Sequence, residues 1–336
     1  MKMKYYMINS MLKCCAEARR PGVYVRVSKI RNWILDIISS SVAADPQTSF
    51  TTTTTTTTGG RKTTNAKTTT ARPFTKHSTT RAKPASSDFL FAECGSRPGL
   101  TKPNKIVGGL DAVRGEIPWQ ASLKEGSRHF CGATIIGDRW LVSAAHCFNQ
   151  TKVDQVTAHM GSTALSGADT IAIKISLKRV IQHPHFNPLT LDFDVAVLEL
   201  ASSLTFNKNL IRPICLPDIS HIFPEGTRCF ITGWGSTKEG GAMSRQLQKA
   251  SVSIVGDQTC KKFYPIQISP RMLCAGFMQG GVDSCSGDAG GPLACREPSG
   301  RWFLAGITSW GYGCARPYFP GVYTRITSVR NWIGQN

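Results

Sequence analysis

Acidic residues are in short supply: 21 Asp and Glu stand against 40 Lys and Arg in 336 residues, a formal net charge of +19. Such an excess first suggests a nucleic-acid or polyanion binder. Its distribution argues otherwise, because residues 1–105 hold 18 basic and 5 acidic side chains and residues 106–336 hold 22 against 16. The charge gathers where the chain looks least able to fold, and no nucleic-acid partner is expected. Long apolar runs are missing as well. None reaches the roughly 18 residues that a membrane-crossing helix needs, so no span is expected within these residues. No C-x-x-C pair occurs among the 12 cysteines, which removes the commonest zinc and thioredoxin patterns. No metal constellation or cofactor motif is found elsewhere. A convincing secretory leader is also lacking: Met1–Leu12 carries lysines, but its apolar stretch is short and broken by Asn9 and Ser10.

What the chain does have is widely spaced cysteine. Cys14 and Cys15 stand apart, and the other ten run from Cys94 to Cys314. An even set spread in this way reads as a disulfide framework built in an oxidising compartment, so an extracellular or cell-surface location is expected. With no leader of its own, the sequence is expected to belong to a longer precursor. An internal repeat points the same way. Cys15-Ala16, Pro21-Gly22-Val23-Tyr24, Arg26 and Arg31-Asn32-Trp33-Ile34 recur, shifted by 299 residues, as Cys314-Ala315, Pro320-Gly321-Val322-Tyr323, Arg325 and Arg330-Asn331-Trp332-Ile333. Eleven of twenty positions match without a gap. Residues 1–38 are therefore expected to be the tail of a preceding copy of the domain that ends at Asn336.

Between the copies, 17 of the 33 residues from Thr48 to Thr80 are Thr, with scattered Lys and Arg and few large apolar side chains. Such a composition cannot offset the entropy of ordering. Residues 39–93 are expected to be a disordered, O-glycosylated linker. From Ile106 onward, short β-branched and aromatic runs alternate with Gly, Pro, Asn and Asp: Gln120–Leu123, Ala133–Ile136, Trp140–Ser143, Val195–Leu200, Cys229–Thr232 and Leu304–Ser309. This is an all-β pattern. Only about Thr327 to Gln335 has helical spacing, with Val329, Trp332 and Ile333 on one face.

Two segments carry the first chemical signals. In Ala144-Ala145-His146-Cys147 a histidine follows small residues, and in Asp192-Phe193-Asp194-Val195-Ala196-Val197-Leu198 an acid interrupts a hydrophobic strand. A carboxylate in that setting needs a partner. An Asp that fixes an imidazole tautomer and stabilises the imidazolium would be one. Each residue alone has a bland structural reading. The run Asp283-Ser284-Cys285-Ser286-Gly287-Asp288-Ala289-Gly290-Gly291-Pro292 makes the constellation specific.

These pieces, together with Ile106-Val107-Gly108-Gly109, Pro118-Trp119-Gln120, Thr232-Gly233-Trp234-Gly235, Ser309-Trp310-Gly311 and Pro320-Gly321-Val322-Tyr323, occur in order across residues 106–336. The sequence there resembles the trypsin-like serine proteases of the chymotrypsin fold. The resemblance implies two six-stranded antiparallel β-barrels and a C-terminal helix. The tandem arrangement with Thr-rich linkers resembles the polyserases, type II transmembrane chains with several protease domains, and most of all a last domain that lacks the nucleophile.

That lack is the main departure. The family places its nucleophilic serine in Gly-Asp-Ser-Gly-Gly, and here the run is Gly287-Asp288-Ala289-Gly290-Gly291. A methyl group cannot attack a carbonyl, so acyl-enzyme chemistry is closed at this position. Ser284 and Ser286 would fall in the wall and at the rim of the specificity pocket. The resemblance implies His146 as base, Asp194 as its orienter, and the amides of Gly287 and Ala289 as an oxyanion hole. It implies Asp283 at the floor of a pocket for Arg or Lys, bordered by Ser284, Ser309, Trp310, Gly311 and Gly321. Ser309 to Gly311 would pair with a peptide backbone.

Lys105-Ile106 is a tryptic site, in a pro-segment 94–105, whose cutting by an outside protease would free an ammonium to pair with Asp288. The implied disulfides are Cys94–Cys215, Cys131–Cys147, Cys229–Cys295, Cys260–Cys274 and Cys285–Cys314. Asn149-Gln150-Thr151 is a glycosylation sequon. Ala164–Ile175 is too poor in carboxylates for the calcium loop of some relatives. The leading expectation is a pseudoprotease that binds Arg- or Lys-bearing peptides, inhibitors or sibling protease domains. An active endopeptidase, if Ala289 is engineered or a sequence error, and a structural spacer are the alternatives.

Overall fold

The computed structural model describes residues 94–97, 109–166, 172–206, 210–265 and 267–336. The expected domain remnant, the Thr-rich linker and the Lys105-Ile106 bond lie outside these residues. The first barrel closes from β2 (Gln120–Glu125), β3 (Arg128–Ile135), β4 (Trp140–Ser143), β5 (Val156–Met160), β6 (Ile173–Gln182) and β7 (Ala196–Leu200) in the order β2-β3-β4-β7-β6-β5, with β5 returning to β2. The β2–β3 hairpin turns through Gly126-Ser127, where Gly126 takes φ +61°, the left-handed geometry that two-residue hairpins require. In β5 the alternation is direct: Val156, Ala158 and Met160 are buried, while Thr157 and His159 are half exposed. Every residue of β7 is buried, so its run reads as continuous rather than alternating.

The second barrel uses β8 (Arg228–Gly233), β9 (Gln248–Val255), β10 (Met272–Gly276), β11 (Pro292–Arg296), β12 (Trp302–Trp310) and β13 (Gly321–Arg325) in the order β9-β10-β13-β12-β11-β8, closed by β8 on β9. A two-residue strand, β1 (Leu110–Asp111), adds to the outer edge of β9. One apolar cluster runs from Trp119, Leu141 and Leu198 of the first barrel to Trp234, Leu304 and Ile307 of the second, and fixes one barrel on the other.

The C-terminal helix, Ile326–Gln335, buries Ile326, Val329 and Ile333, close to the expected face. A second helix, α1 (Asp257–Phe263), precedes it in the chain, so the C-terminal one is α2. Helix α1 shows no helical spacing in the sequence because it has only seven residues and buries only Cys260, too little for an apolar stripe.

Candidate active site

The two barrels meet around His146 and Asp194. His146 lies on a 3-10 turn, Ala145–Phe148, directly after β4. Ala144 and Ala145 are fully buried, which lets that turn sit flat on the barrel. The Cys131–Cys147 disulfide ties it to β3. Asp194, fully buried, accepts from His146 Nδ1 at 2.7 Å and from the His146 amide at 2.9 Å. Ser309 Oγ donates to the same carboxylate at 2.5 Å, and Thr324 Oγ1 donates to the Asp194 carbonyl at 2.7 Å. Dehydration opposes a charged imidazole, but the charge and hydrogen bond of Asp194 outweigh it and hold His146 above its ordinary pKa.

The chain reaches Asp194 through a tight turn in which Leu191 and Phe193 both take φ above +50°, a conformation non-glycine residues adopt at a cost. Arg271 steadies that turn. Its guanidinium pairs with Asp192 at 2.5 and 3.2 Å and lies 4.8 Å over the Phe193 ring. Dehydration pushes the Asp192 carboxyl up, and the hydrogen bonds from Arg271 and Ser269 reverse this and hold it below its ordinary range.

Ala289 sits in the turn leading into β11. Its carbonyl accepts from Gly132 N at 2.8 Å, Gly290 N donates to Thr308 O at 2.9 Å, and Gly291 N donates to Asp288 O at 2.9 Å. Gly290 takes φ +79° with Ser143 Oγ and the Gly132 carbonyl against its Cα, so no side chain fits there. The amides of Gly287 and Ala289 donate to no acceptor among the described residues. Gly287 is fixed from behind by His129, whose Nε2 donates to the Gly287 carbonyl at 2.9 Å while Ser122 Oγ donates to Nδ1 at 2.8 Å. His129 and the Ser309 hydroxyl bond to Asp194 were not singled out from sequence.

Asp283 lies behind Gly321, where a Cβ would stand 2.5 Å from its Oδ1. Its carboxylate accepts from Ser284 N at 2.8 Å and Ala315 N at 3.3 Å. Ser284 Oγ contacts Tyr323 Oη at 3.2 Å. A Cβ on Gly311 would find nothing nearer than 3.8 Å, so that wall is open. Trp310 beside it packs edge-on against Tyr264. Dehydration, with a smaller push from the charge of Asp288, raises Asp283 to about 7 against its two amide bonds.

Asp288 accepts from Gly235 N at 2.8 Å and Cys285 N at 2.9 Å, and dehydration raises it to about 6. Both carboxylates line one cavity of about 110 Å³, together with Gly109, Gly233 and Lys249. Ile106, expected to reach this cavity, lies outside the described residues, as does Lys105. Ser286 lends its carbonyl to Ser236 N. Asn149 is exposed. All five expected disulfides are formed. Cys131, His146 and Cys147 are close enough to consider for a metal, but the two sulfurs are bonded to each other and offer no thiolate. No helix among the described residues is long and apolar enough to cross a membrane.

A family profile described as Trypsin matches residues 106–333. The chain belongs to the trypsin family. Among its relatives, transmembrane protease serine 9 of Rattus norvegicus is 53% identical over 328 residues, which cover 95% of this chain and 30% of the rat protein. The suppressor of tumorigenicity 14 protein homolog of Bos taurus is 43% identical over 248 residues, 71% of this chain and 29% of that one. Transmembrane protease serine 11C of Mus musculus is 42% identical over 254 residues, 75% of this chain and 58% of the mouse protein. The chain therefore spans less than two thirds of the length of each. As a trypsin-family domain it combines an Asp-bound imidazole with an alanine at position 289.

Proposed function

We propose that this trypsin-family domain binds Arg- or Lys-bearing peptides, protease inhibitors or sibling protease domains without cutting them. The observation that carries this reading is Ala289. The turn around it is held by backbone bonds to Gly132 and Thr308, His146 keeps its carboxylate, and the one missing group is the hydroxyl. In triads of this kind, loss of the nucleophile removes roughly a million-fold in turnover. A binding role is supported by the groups that remain: a carboxylate at Asp283, open space at Gly311, and two amides at Gly287 and Ala289 without acceptors among the described residues.

The same reading assigns Lys105-Ile106 to an activating protease of trypsin-like specificity. A new Ile106 ammonium would pair with Asp288, whose carboxylate lines a cavity and has no cation in hydrogen-bond contact among the described residues. The alignment with the rat protein covers 95% of this chain and so reaches well upstream of residue 106. This supports a tandem chain of the polyserase kind, with residues 1–38 a preceding domain's tail and 39–93 an O-glycosylated linker. Relatives named as transmembrane proteases and five disulfides support a cell-surface or extracellular place, with Asn149 glycosylated.

The test is hydrolysis of a fluorogenic Arg-amide by purified protein cut at Lys105, beside a benzamidine thermal shift. No turnover with a clear rise in Tm is expected. Turnover blocked stoichiometrically by a serine-directed reagent would make the domain an active endopeptidase. No shift at all would make it a spacer.

A further inference from the structure

Residues 94–97 are packed into the domain well beyond their disulfide. Gly95 N donates to Pro213 O and Trp302 N donates to Gly95 O, both at 2.9 Å. Gly95 takes φ +68° with the Trp302 carbonyl pressed against it, so only glycine fits. Ser96 Oγ accepts from Arg212. The Arg97 side chain is 9% exposed and its Nη2 donates to Glu116 Oε1 at 2.9 Å. Its guanidinium lies 4.9 Å from the centre of the Trp302 ring and 5.7 Å from that of Phe230, rings that stack on each other at 4.9 Å.

Glu116 does not depend on Arg97. Lys249 Nζ donates to both its oxygens at 2.5 and 2.7 Å, with each side chain 2% exposed, and Val113 N donates to Oε2 at 2.9 Å. Lys249 already neutralises the acid, so the cradle is charge-balanced without Arg97, and an arginine entering it adds a stacked cation. Arg97 Nε is buried without a partner among the described residues, which keeps the contact weaker than a two-pronged ion pair.

We infer that Glu116, Trp302 and Phe230 form a guanidinium-docking site on this domain, separate from the Asp283 pocket, whose ligand is Arg97 of the chain's own Cys94–Arg97 segment. Its use as a tether, holding the upstream chain after a cut at Lys105, rests on the cleavage proposed above. The site itself does not. The sequence protects the ligand: Arg97 and Lys102 are each followed by proline, and Lys105 is not. A bond to a proline nitrogen, which lacks the N–H and fixes φ, resists trypsin-like enzymes. The cut that separates the segment from Ile106 thus leaves Arg97 within it. Glu116 lies ten residues beyond Ile106, so the contact bridges the two sides of the break.

The experiment uses the full chain carrying C94S and C215S, cut with trypsin and checked by N-terminal sequencing for Ile-Val-Gly-Gly. Peptide 82–105 is expected to co-elute with the domain on size exclusion. Adding Arg97→Ala is expected to release it about tenfold faster or more, with Arg97→Lys between the two. Equal release with and without Arg97 would overturn the inference. If Lys105 resists cutting, the switch fails and the docking site is read instead on the uncut chain. Hydrogen exchange at the Gly95 and Trp302 amides must then accelerate in Arg97→Ala, and unchanged exchange overturns it. If the double serine variant does not fold, the wild-type and Arg97→Ala chains are cut and compared for release of 82–105 under mild reductant, with the same outcomes deciding.

Discussion

Gly132 N donates to the carbonyl of Ala289 at 2.8 Å, a bond between β3 of the first barrel and the turn that enters β11 of the second. The bond is made by backbone alone. So are those from Gly290 to Thr308 and from Gly291 to Asp288. None of these hydrogen bonds uses the side chain of residue 289, a methyl group that packs against the apolar cluster.

Ala289→Ser is therefore expected to restore Arg- and Lys-directed hydrolysis, on the order of 10⁶-fold above the parent in kcat. Stability should move by no more than about 0.5 kcal/mol. Active-site titration with a serine-directed reagent measures it. A well-folded variant that stays inert would mean that the pocket or the switch has been lost as well.

Benzamidine affinity should depend on pH. Asp283 is raised to about 7, chiefly by dehydration, and a cation binds its ionised form. Affinity is expected to climb by about tenfold per unit below pH 7 and to level off above it, as read by calorimetry. Asp283→Asn should abolish binding. A flat profile contradicts the placement of the cation on this carboxylate.

Asp194 satisfies the His146 amide, His146 Nδ1 and Ser309 Oγ together. In Asp194→Asn one of these donors faces an NH₂ group, at a cost of about 1–3 kcal/mol, visible in chemical denaturation. On the Ala289→Ser background the same change should lower kcat by about 10⁴.

Asp288 gives a stability signature. Its folded pKa, about 6, lies above the unfolded value of about 3.9, so the folded chain binds more protons between these limits. This group's contribution then destabilises the fold as pH rises from about 4 to about 6. Pairing with the Ile106 ammonium would reverse the shift. Urea titrations at pH 5 and 7.5, before and after cutting at Lys105, should show the cut protein losing less stability at the higher pH.

Much of this is legible in the sequence. The β7 run was visible because every position is buried, and Asp194 was conspicuous just before it because an acid there needs a partner. The turn residues 287–291 were legible because a tight backbone path admits few residue types. What stayed hidden depends on partners far apart in the chain. Ser309 reaches Asp194 across 115 residues and Lys249 reaches Glu116 across 133. A lone serine or lysine gives no local sign of such a bond. Helix α1 escaped because seven residues with one buried side chain carry no period. The disulfide pairs were available only through family resemblance, since spacing alone leaves their connectivity open.

The Cys94–Cys215 bond closes a ring of chain, its ends 121 positions apart in sequence, and Lys105-Ile106 is one link of that ring. Hydrolysis there opens the ring and leaves a single molecule. Hydrolysis at Arg81-Ala82, outside the ring, divides the molecule instead. Two cuts of the same chemistry, 24 residues apart, would thus carry different messages: the inner one alters the domain where it stands, and the outer one sets it adrift.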